Sequence, residues 1–220
     1  MGYAVKELFF TLQGEGARSG RAAVFLRFTG CNLWSGREED RARGAGGCAR
    51  WCDTDFVGTD GPGGGRFADG DSLARSARAA WDHGVRDPRG AVPYIVCTGG
   101  EPLLQLDENL VRALHAQGFE VAVETNGTRP IPPGVDWVCV SPKGGAPLAV
   151  TRGDELKLVF PQPEEDCAPA RFHELAFAHW FLQPMDGPDR DASARACVAF
   201  CRAHPRWRLS LQSHKLLGIP

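Results

Sequence analysis

Cys31, Cys48 and Cys52, all in the first quarter of the chain, are the side chains best suited to do chemistry. Sixteen residues separate the first two, three separate the second pair, and Asp53-Thr54 follows at once. Three thiolates from one stretch of chain suit a metal centre, and three rather than four leave one coordination position open. Spacing alone leaves two other readings standing. The thiols could be buried separately, or they could hold a structural zinc whose fourth ligand comes from elsewhere. The remaining cysteines read more plainly. Cys97 and Cys139 sit in apolar runs and belong to the core, Cys197 and Cys201 share a helix face, and Cys167 is a loop thiol with nothing to pair with.

Short apolar runs alternating with helical patterns must position these residues. Strands are predicted at 22–28, 92–97, 119–124, 136–140, 155–160, 179–183 and 207–212. Helices are predicted at 71–83, with Asp71 as N-cap, over the Leu106–Leu114 periodicity stopped by Gly118, and at 192–204. Alternation of this kind gives an α/β fold with a mostly parallel sheet. Connections such as 126–135 are too short for a full helix, and a complete eight-fold barrel takes ~250 residues. The expectation is therefore a partial, TIM-like barrel forming a single domain over 1–220. The segment 58–65, GTDGPGGG, reads as a flexible loop, and 35–47, SGREEDRARGAGG, as an exposed excursion.

Ligands in such sheets lie beyond the carboxyl ends of the strands. Those ends carry Cys31, then Thr98-Gly99-Gly100-Glu101-Pro102, Thr125-Asn126-Gly127, Ser141-Pro142-Lys143, Gln183-Pro184-Met185 and Ser213-His214-Lys215. They are rich in polar residues and glycine, as one functional rim would be. Arg27 interrupts an apolar strand, where a partly buried guanidinium wants an anion. The Gln13 amide can offer both a donor and an acceptor.

Composition narrows the function classes. Apolar residues are 43% and charged residues 24% of the 220, and the formal net charge is −2. That balance argues against a broad nucleic-acid or anionic-membrane surface. No run approaches the ~18 apolar residues of a membrane span. Residues 1–10 carry Lys6 and Glu7 inside their apolar stretch and show no signal-peptide pattern. Grouped thiols then point to a reducing, cytoplasmic setting and to metal or redox chemistry. GEGARSG and GPGGGR miss the glycine spacing of a dinucleotide or phosphate loop.

A cysteine loop after a strand, followed by a strand ending in Gly99-Gly100-Glu101-Pro102, resembles the radical S-adenosylmethionine (SAM) superfamily. The superfamily's CxxxCxxC would place cysteines at 35 and 38, which are Ser35 and Glu38 here. Residues 35–47 then look like an insertion between the first two ligands. The segments FFTLQGEGARSGRAAVFLRFTGCNLW, WCDTDF, TGGEPLLQ, VETNGT, CVSPKG, ELKLVF, LQPMD and LSLQSHKLLGIP run in order from residue 9 to 220. Together they resemble the 7-carboxy-7-deazaguanine synthase (QueE) family.

The resemblance implies a 4Fe–4S cluster on Cys31, Cys48 and Cys52, and magnesium at Thr54. It implies SAM binding by Trp51, Asp53, Gly99, Gly100, Glu101 and Asn126, and by Ser141, Pro142, Lys143, Gln183, Pro184, Met185 and Asp186. The implied substrate is 6-carboxy-5,6,7,8-tetrahydropterin. Leu12, Gln13, Gly14, Glu15 and Arg27 would bind it, with Thr98, Glu124, His214 and Pro220. The implied reaction is hydrogen abstraction from C6, ring contraction and loss of ammonia, with SAM regenerated. An electron donor such as flavodoxin, a homodimer, and no direct contact with nucleic acid or membrane complete what the resemblance implies. Two rivals remain at this point: a radical SAM activase of a glycyl-radical enzyme, and a zinc-binding module without catalysis.

Overall fold

A computed structural model describes residues 2–220, so Met1 of the first segment lies outside the described residues. Nine strands form one sheet: β1 (Tyr3–Leu12), β2 (Ala22–Phe28), β3 (Gly65–Phe67), β4 (Tyr94–Gly99), β5 (Glu120–Thr125), β6 (Trp137–Val140), β7 (Arg152–Phe160), β8 (Ala176–Pro184) and β9 (Arg208–Leu209). Their order is β3-β1-β2-β4-β5-β6-β7-β8-β9. β1 is antiparallel to β2 and β3, and every later neighbouring pair is parallel. β3 and β9 do not meet, so the sheet is an open, partial barrel of the kind expected. Among the described residues, no helix is long and apolar enough to cross a membrane.

Helices cover only part of the outer face. α1 (Gly70–Gly84) buries Leu73, Ala74, Ala77 and Trp81, and α2 (Glu108–Ala116) buries Leu110, Val111 and Leu114. Both pack on Val24, Leu26, Ile95, Cys97, Val121 and Val123. α3 (Arg190–Ala203) sets Cys197 against a second cluster containing Leu156, Leu158, Trp180 and Leu182. Each Val, Leu or Ile among these contributes ~1.5–3 kcal/mol of transfer free energy when fully buried. The β5–β6 and β6–β7 connections carry no helix, as their lengths required.

Period 2 then turns the alternate residues inward. Arg27 pairs in register with Thr98, Glu124 with Cys139, and Val159 with Gln183. Glu155 and Lys157 alternate with Leu156 and Leu158, which face the helices. The inner face is consequently charged near the carboxyl ends of its strands.

Several expectations are corrected. β1 is a strand the sequence reading does not predict, and the charges of Lys6 and Glu7 break its apolar pattern. Lys6 is buried against Asp55 and Asp60, Glu7 is paired with Arg27, and a register shift lies between Val5 and Glu7. The N-cap of α1 is Asp69, whose carboxylate accepts from the Ser72 N–H at 2.8 Å, rather than Asp71. The run 207–212 keeps only the two residues of β9, and α4 (Ser213–Leu217) follows unforeseen. The glycine loop is not loose. The Leu8 N–H donates to the Pro62 carbonyl at 2.8 Å, and a Cβ on Gly64 would collide with the Lys6 carbonyl. Cys167 is a core thiol, packed in the second apolar cluster.

Leu110→Ala removes a side chain with no solvent exposure from the junction of α1, α2 and the sheet. It should lower the unfolding free energy by about 2–5 kcal/mol, read from a reduced denaturant midpoint at constant m-value.

Candidate active site

At the carboxyl ends of the parallel strands lies a cavity of about 340 Å³. Cys31, Cys48 and Cys52 all line it. Cys31 stands just past β2, and Cys48 sits on a short 3-10 turn, Gly47–Arg50. The Cys52 N–H closes that turn by donating to the Cys48 carbonyl at 2.7 Å. The charged excursion secures it. Arg41 donates to the Ala49 carbonyl at 2.6 Å and to that of Cys52 at 3.2 Å. Only part of residues 35–47 is therefore a free surface loop.

Burial pushes the Cys48 thiol up to about 11, with the Lys143 ammonium opposing. Burial also raises Cys31, against N–H donors from Leu33 and Trp34. Ligation would have to draw these protons off. Among the described residues, no three His, Cys, Asp or Glu side chains are grouped closely enough for one ion. An all-thiol set facing a shared cavity fits a multi-iron cluster, which takes one thiolate per iron.

Gly99 and Gly100 hold the end of β4 against this loop. Gly99 has φ +146°, and a Cβ there would strike the Phe28 backbone. A Cβ on Gly100 would strike the Gly30 carbonyl and Cys31. Their close approach is thus to the cysteine loop itself, as well as to the cavity they line. Glu101 stands behind the cavity wall rather than in it. Its carboxylate is fully buried and accepts from Thr125 Oγ1 at 2.7 Å, the Asn126 N–H at 2.8 Å and the Leu103 N–H at 3.0 Å. Burial raises its pKa against those donors. It fixes Asn126, which does line the cavity and donates from Nδ2 to Asn32 Oδ1 at 3.0 Å.

The floor is a buried charge cluster. Lys157 Nζ lies 2.5 Å from Glu15 Oε2 and 3.2 Å from Glu124 Oε1. Gln13 Nε2 donates to Glu124 Oε1 at 2.9 Å, its Oε1 accepts from the Glu15 N–H at 3.1 Å, and Gln212 Nε2 donates to Glu15 at 3.1 Å. Glu155 accepts from Trp137 Nε1 and from the Ala17 N–H. Desolvation works against every charge here. It raises Glu155, but Lys157 overcomes it at Glu15 and holds that carboxyl at about 2. The surrounding acidic groups likewise keep Lys157 well above its ordinary value despite desolvation.

Around the mouth, Arg27 lines the cavity while its Nε donates to Glu7 Oε1 at 2.6 Å. Thr54, Trp51, Asp53, Ser141, Lys143 and Gln183 line it as well. Lys143 Nζ donates to Ser141 Oγ at 2.6 Å and stands 5.6 Å from the Trp51 ring centre. The C-terminal segment supplies another wall through Gln212, His214, Lys215 and Pro220. Lys215 Nζ reaches Asp53 at 2.5 Å and Asp186 at 2.6 Å, and Thr11 Oγ1 donates to the Pro220 carbonyl at 2.9 Å. His214 packs so closely on Gly14 that a Cβ there would run into its imidazole.

Of the anticipated substrate residues, Leu12, Gln13, Gly14, Glu15, Arg27, Thr98, Glu124, His214 and Pro220 are all brought to this cavity. Gln13 is 5% exposed, and its amide bonds Glu124 and the Glu15 N–H. Pro142, Pro184, Met185 and Asp186 are not part of the cavity wall. Pro142 and Pro184 are buried behind it, Met185 donates its N–H to the Phe160 carbonyl, and Asp186 is engaged by Lys215. Sequence reasoning missed Lys157, Lys6, Trp34 and Gln212. The charged–apolar alternation of Glu155-Leu156-Lys157-Leu158 was the one signal available for Lys157.

Glu15→Gln keeps the shape and removes the charge. Ionised Glu15 contributes stability that is complete above its ordinary value of 4.5 and is lost as pH falls through about 2. Unfolding free energy should drop by about 1.5–3 kcal/mol at pH 7, since Lys157 keeps Glu124. It should fall less steeply than the parent's between pH 4.5 and 2.

No protein-family model matches the chain. Curated relatives do. It is 63% identical to the 7-carboxy-7-deazaguanine synthase of Bordetella pertussis and 59% identical to that of Caulobacter vibrioides, each over 220 residues and the full length of both chains. The crystal structure of QueE from Escherichia coli superposes with a TM-score of 0.67 at 26% identity, covering 96% of this chain and 94% of that one. Neither the activase nor the zinc-module reading finds support among these relatives. Full-length identity, the open parallel sheet and a three-cysteine cavity at its carboxyl edge agree, and the chain belongs to the 7-carboxy-7-deazaguanine synthase family.

Proposed function

We propose that the chain is an enzyme that makes 7-carboxy-7-deazaguanine from 6-carboxy-5,6,7,8-tetrahydropterin with loss of ammonia, acting as a radical SAM lyase in 7-deazapurine biosynthesis. The observation that carries this reading is the sharing of one cavity by Cys31, Cys48 and Cys52, a buried Lys157–Glu15–Glu124 cluster, and Arg27. When bound, a 4Fe–4S cluster with SAM supplies the hydrogen-abstracting radical chemistry that C–H activation at the pterin requires.

The chain's own residues do the rest. The three thiolates are the residues that would hold the cluster, one thiolate to an iron. Trp51, Asp53, Gly99, Gly100, Asn126, Ser141, Lys143 and Gln183 are the groups that would receive SAM. Thr54 offers a hard oxygen to magnesium, which takes few protein ligands. The Arg27 guanidinium, oriented through Nε by Glu7, offers its remaining nitrogens to the substrate carboxylate. Glu124, paired with Lys157 and oriented by Gln13, accepts from the N–H groups of a guanine-like edge. His214, Thr98 and Pro220 line the same space. An electron donor such as flavodoxin, a homodimer and a cytoplasmic setting belong to this reading.

Anaerobic iron–sulfur reconstitution followed by product analysis with the tetrahydropterin tests it. Iron-loaded protein should convert the pterin when SAM, magnesium and a reductant are supplied. Protein that takes up zinc but no iron, or that leaves the pterin untouched, would overturn the reading. Cys31→Ala should abolish cluster assembly, seen as loss of iron and sulfide. Arg27→Ala should weaken pterin binding about tenfold or more, in line with loss of a charge-assisted hydrogen bond, while iron content stays at the parent level. Thr54→Ala should blunt the response of turnover to magnesium.

A further inference from the structure

Trp34 carries an unexplained donor. Its side chain is 7% exposed, and its indole Nε1 is shut off from water with no hydrogen-bond partner among the described residues. A buried N–H left in that state costs about 1–3 kcal/mol, so a native site normally supplies an acceptor. The surroundings limit what that acceptor can be. Trp34 stands edge-on to Phe56, with ring centres 5.7 Å apart, and packs with Ala49 in a small cluster against which Cys31 and Cys52 lie. The Arg41 guanidinium covers the ring at 4.8 Å. Trp34 lines the same cavity wall as the three cysteines.

We propose that the Trp34 indole N–H donates a hydrogen bond to a cluster-ligating cysteine thiolate, that of Cys31 or Cys52 packed beside it, and thereby raises the reduction potential of the iron–sulfur cluster. The inference rests on the cluster reading above. Reduction adds negative charge to the sulfurs, so a donor stabilises the reduced state more than the oxidised one. Backbone donation is already in place at Cys31, whose Sγ accepts from the Leu33 N–H at 3.4 Å. Trp51 Nε1 also lacks a partner, but Trp51 is among the residues that would face SAM, and that ligand brings acceptors of its own.

The test uses anaerobically reconstituted full-length protein labelled with 15N in the tryptophan indole. Pulsed EPR of the reduced cluster should show a 15N coupling, and proton ENDOR an exchangeable proton that disappears in D2O buffer. Both should survive in Trp51→Phe and vanish in Trp34→Phe. Trp34→Phe keeps the ring, so its iron content should match the parent's. Its reduction constant should fall about tenfold, equivalent to about 59 mV for one electron. A reduced cluster without 15N coupling, a coupling that persists in Trp34→Phe, or an unchanged potential would overturn the inference. If Trp34→Phe fails to assemble, the labelled Trp51→Phe protein still decides, because loss of the coupling there assigns the donor to Trp51. Absence of any cluster signal in the parent would instead overturn the underlying cluster reading.

Discussion

A sheet that does not close must fill its concave face with something, and here the filling is held by one ion pair. Lys157 points inward from β7 and meets Glu15, which belongs to the connection between β1 and β2. That connection then occupies the opening. The Gly16 N–H donates to Ser210 Oγ, the Ala17 N–H to Glu155, and Arg18 lies over the Trp137 ring at 4.1 Å. The two ends of the sheet are thus tied across its hollow by polar groups rather than by a strand ladder. Burying those groups is costly, and the Lys157, Glu15 and Glu155 charges are each paired or hydrogen-bonded. The same pairing leaves a charged, preorganised floor under the cavity.

The opposite wall obeys a different constraint. The cysteine loop can lie against the end of β4 only because two consecutive residues there have no side chain. Glu101 comes next and draws the end of β5 toward the same point through two donors, the Thr125 hydroxyl and the Asn126 N–H. Four consecutive residues, Thr98 to Glu101, therefore combine a cavity-lining hydroxyl, two close backbone approaches and a buried staple. Reading the motif as a set of cofactor contacts captures half of its work.

The sequence made some of this legible. β2 was read with its observed bounds, and the long helices with theirs to within two residues, because apolar periodicity and end signals agreed there. β1 escaped because its charges are neutralised by partners tens of residues away, which a local pattern cannot reveal. The last stretch misled in the opposite direction. Leu211, Leu216 and Leu217 are apolar yet 47%, 64% and 65% exposed, so hydrophobicity there did not mark a buried strand. Strand-end chemistry found part of the cavity lining, including Cys31, Thr98, Ser141, Gln183 and His214. It missed Lys157, which lies inside a strand, and Arg41, whose contacts with the cysteine turn were hidden in a run that looked like solvated charge.

α4 buries none of its side chains, and its hold on the rim is polar: Ser213 and Gly14, Pro220 and Thr11, and Lys215 between Asp53 and Asp186. Ion pairs with partial exposure weaken as dissolved ions accumulate, whereas the apolar clusters beneath the sheet do not. Buffer strength is thus a selective handle on this molecule, loosening the doorway while leaving the frame intact. Rates compared across different salt concentrations compare differently guarded entrances.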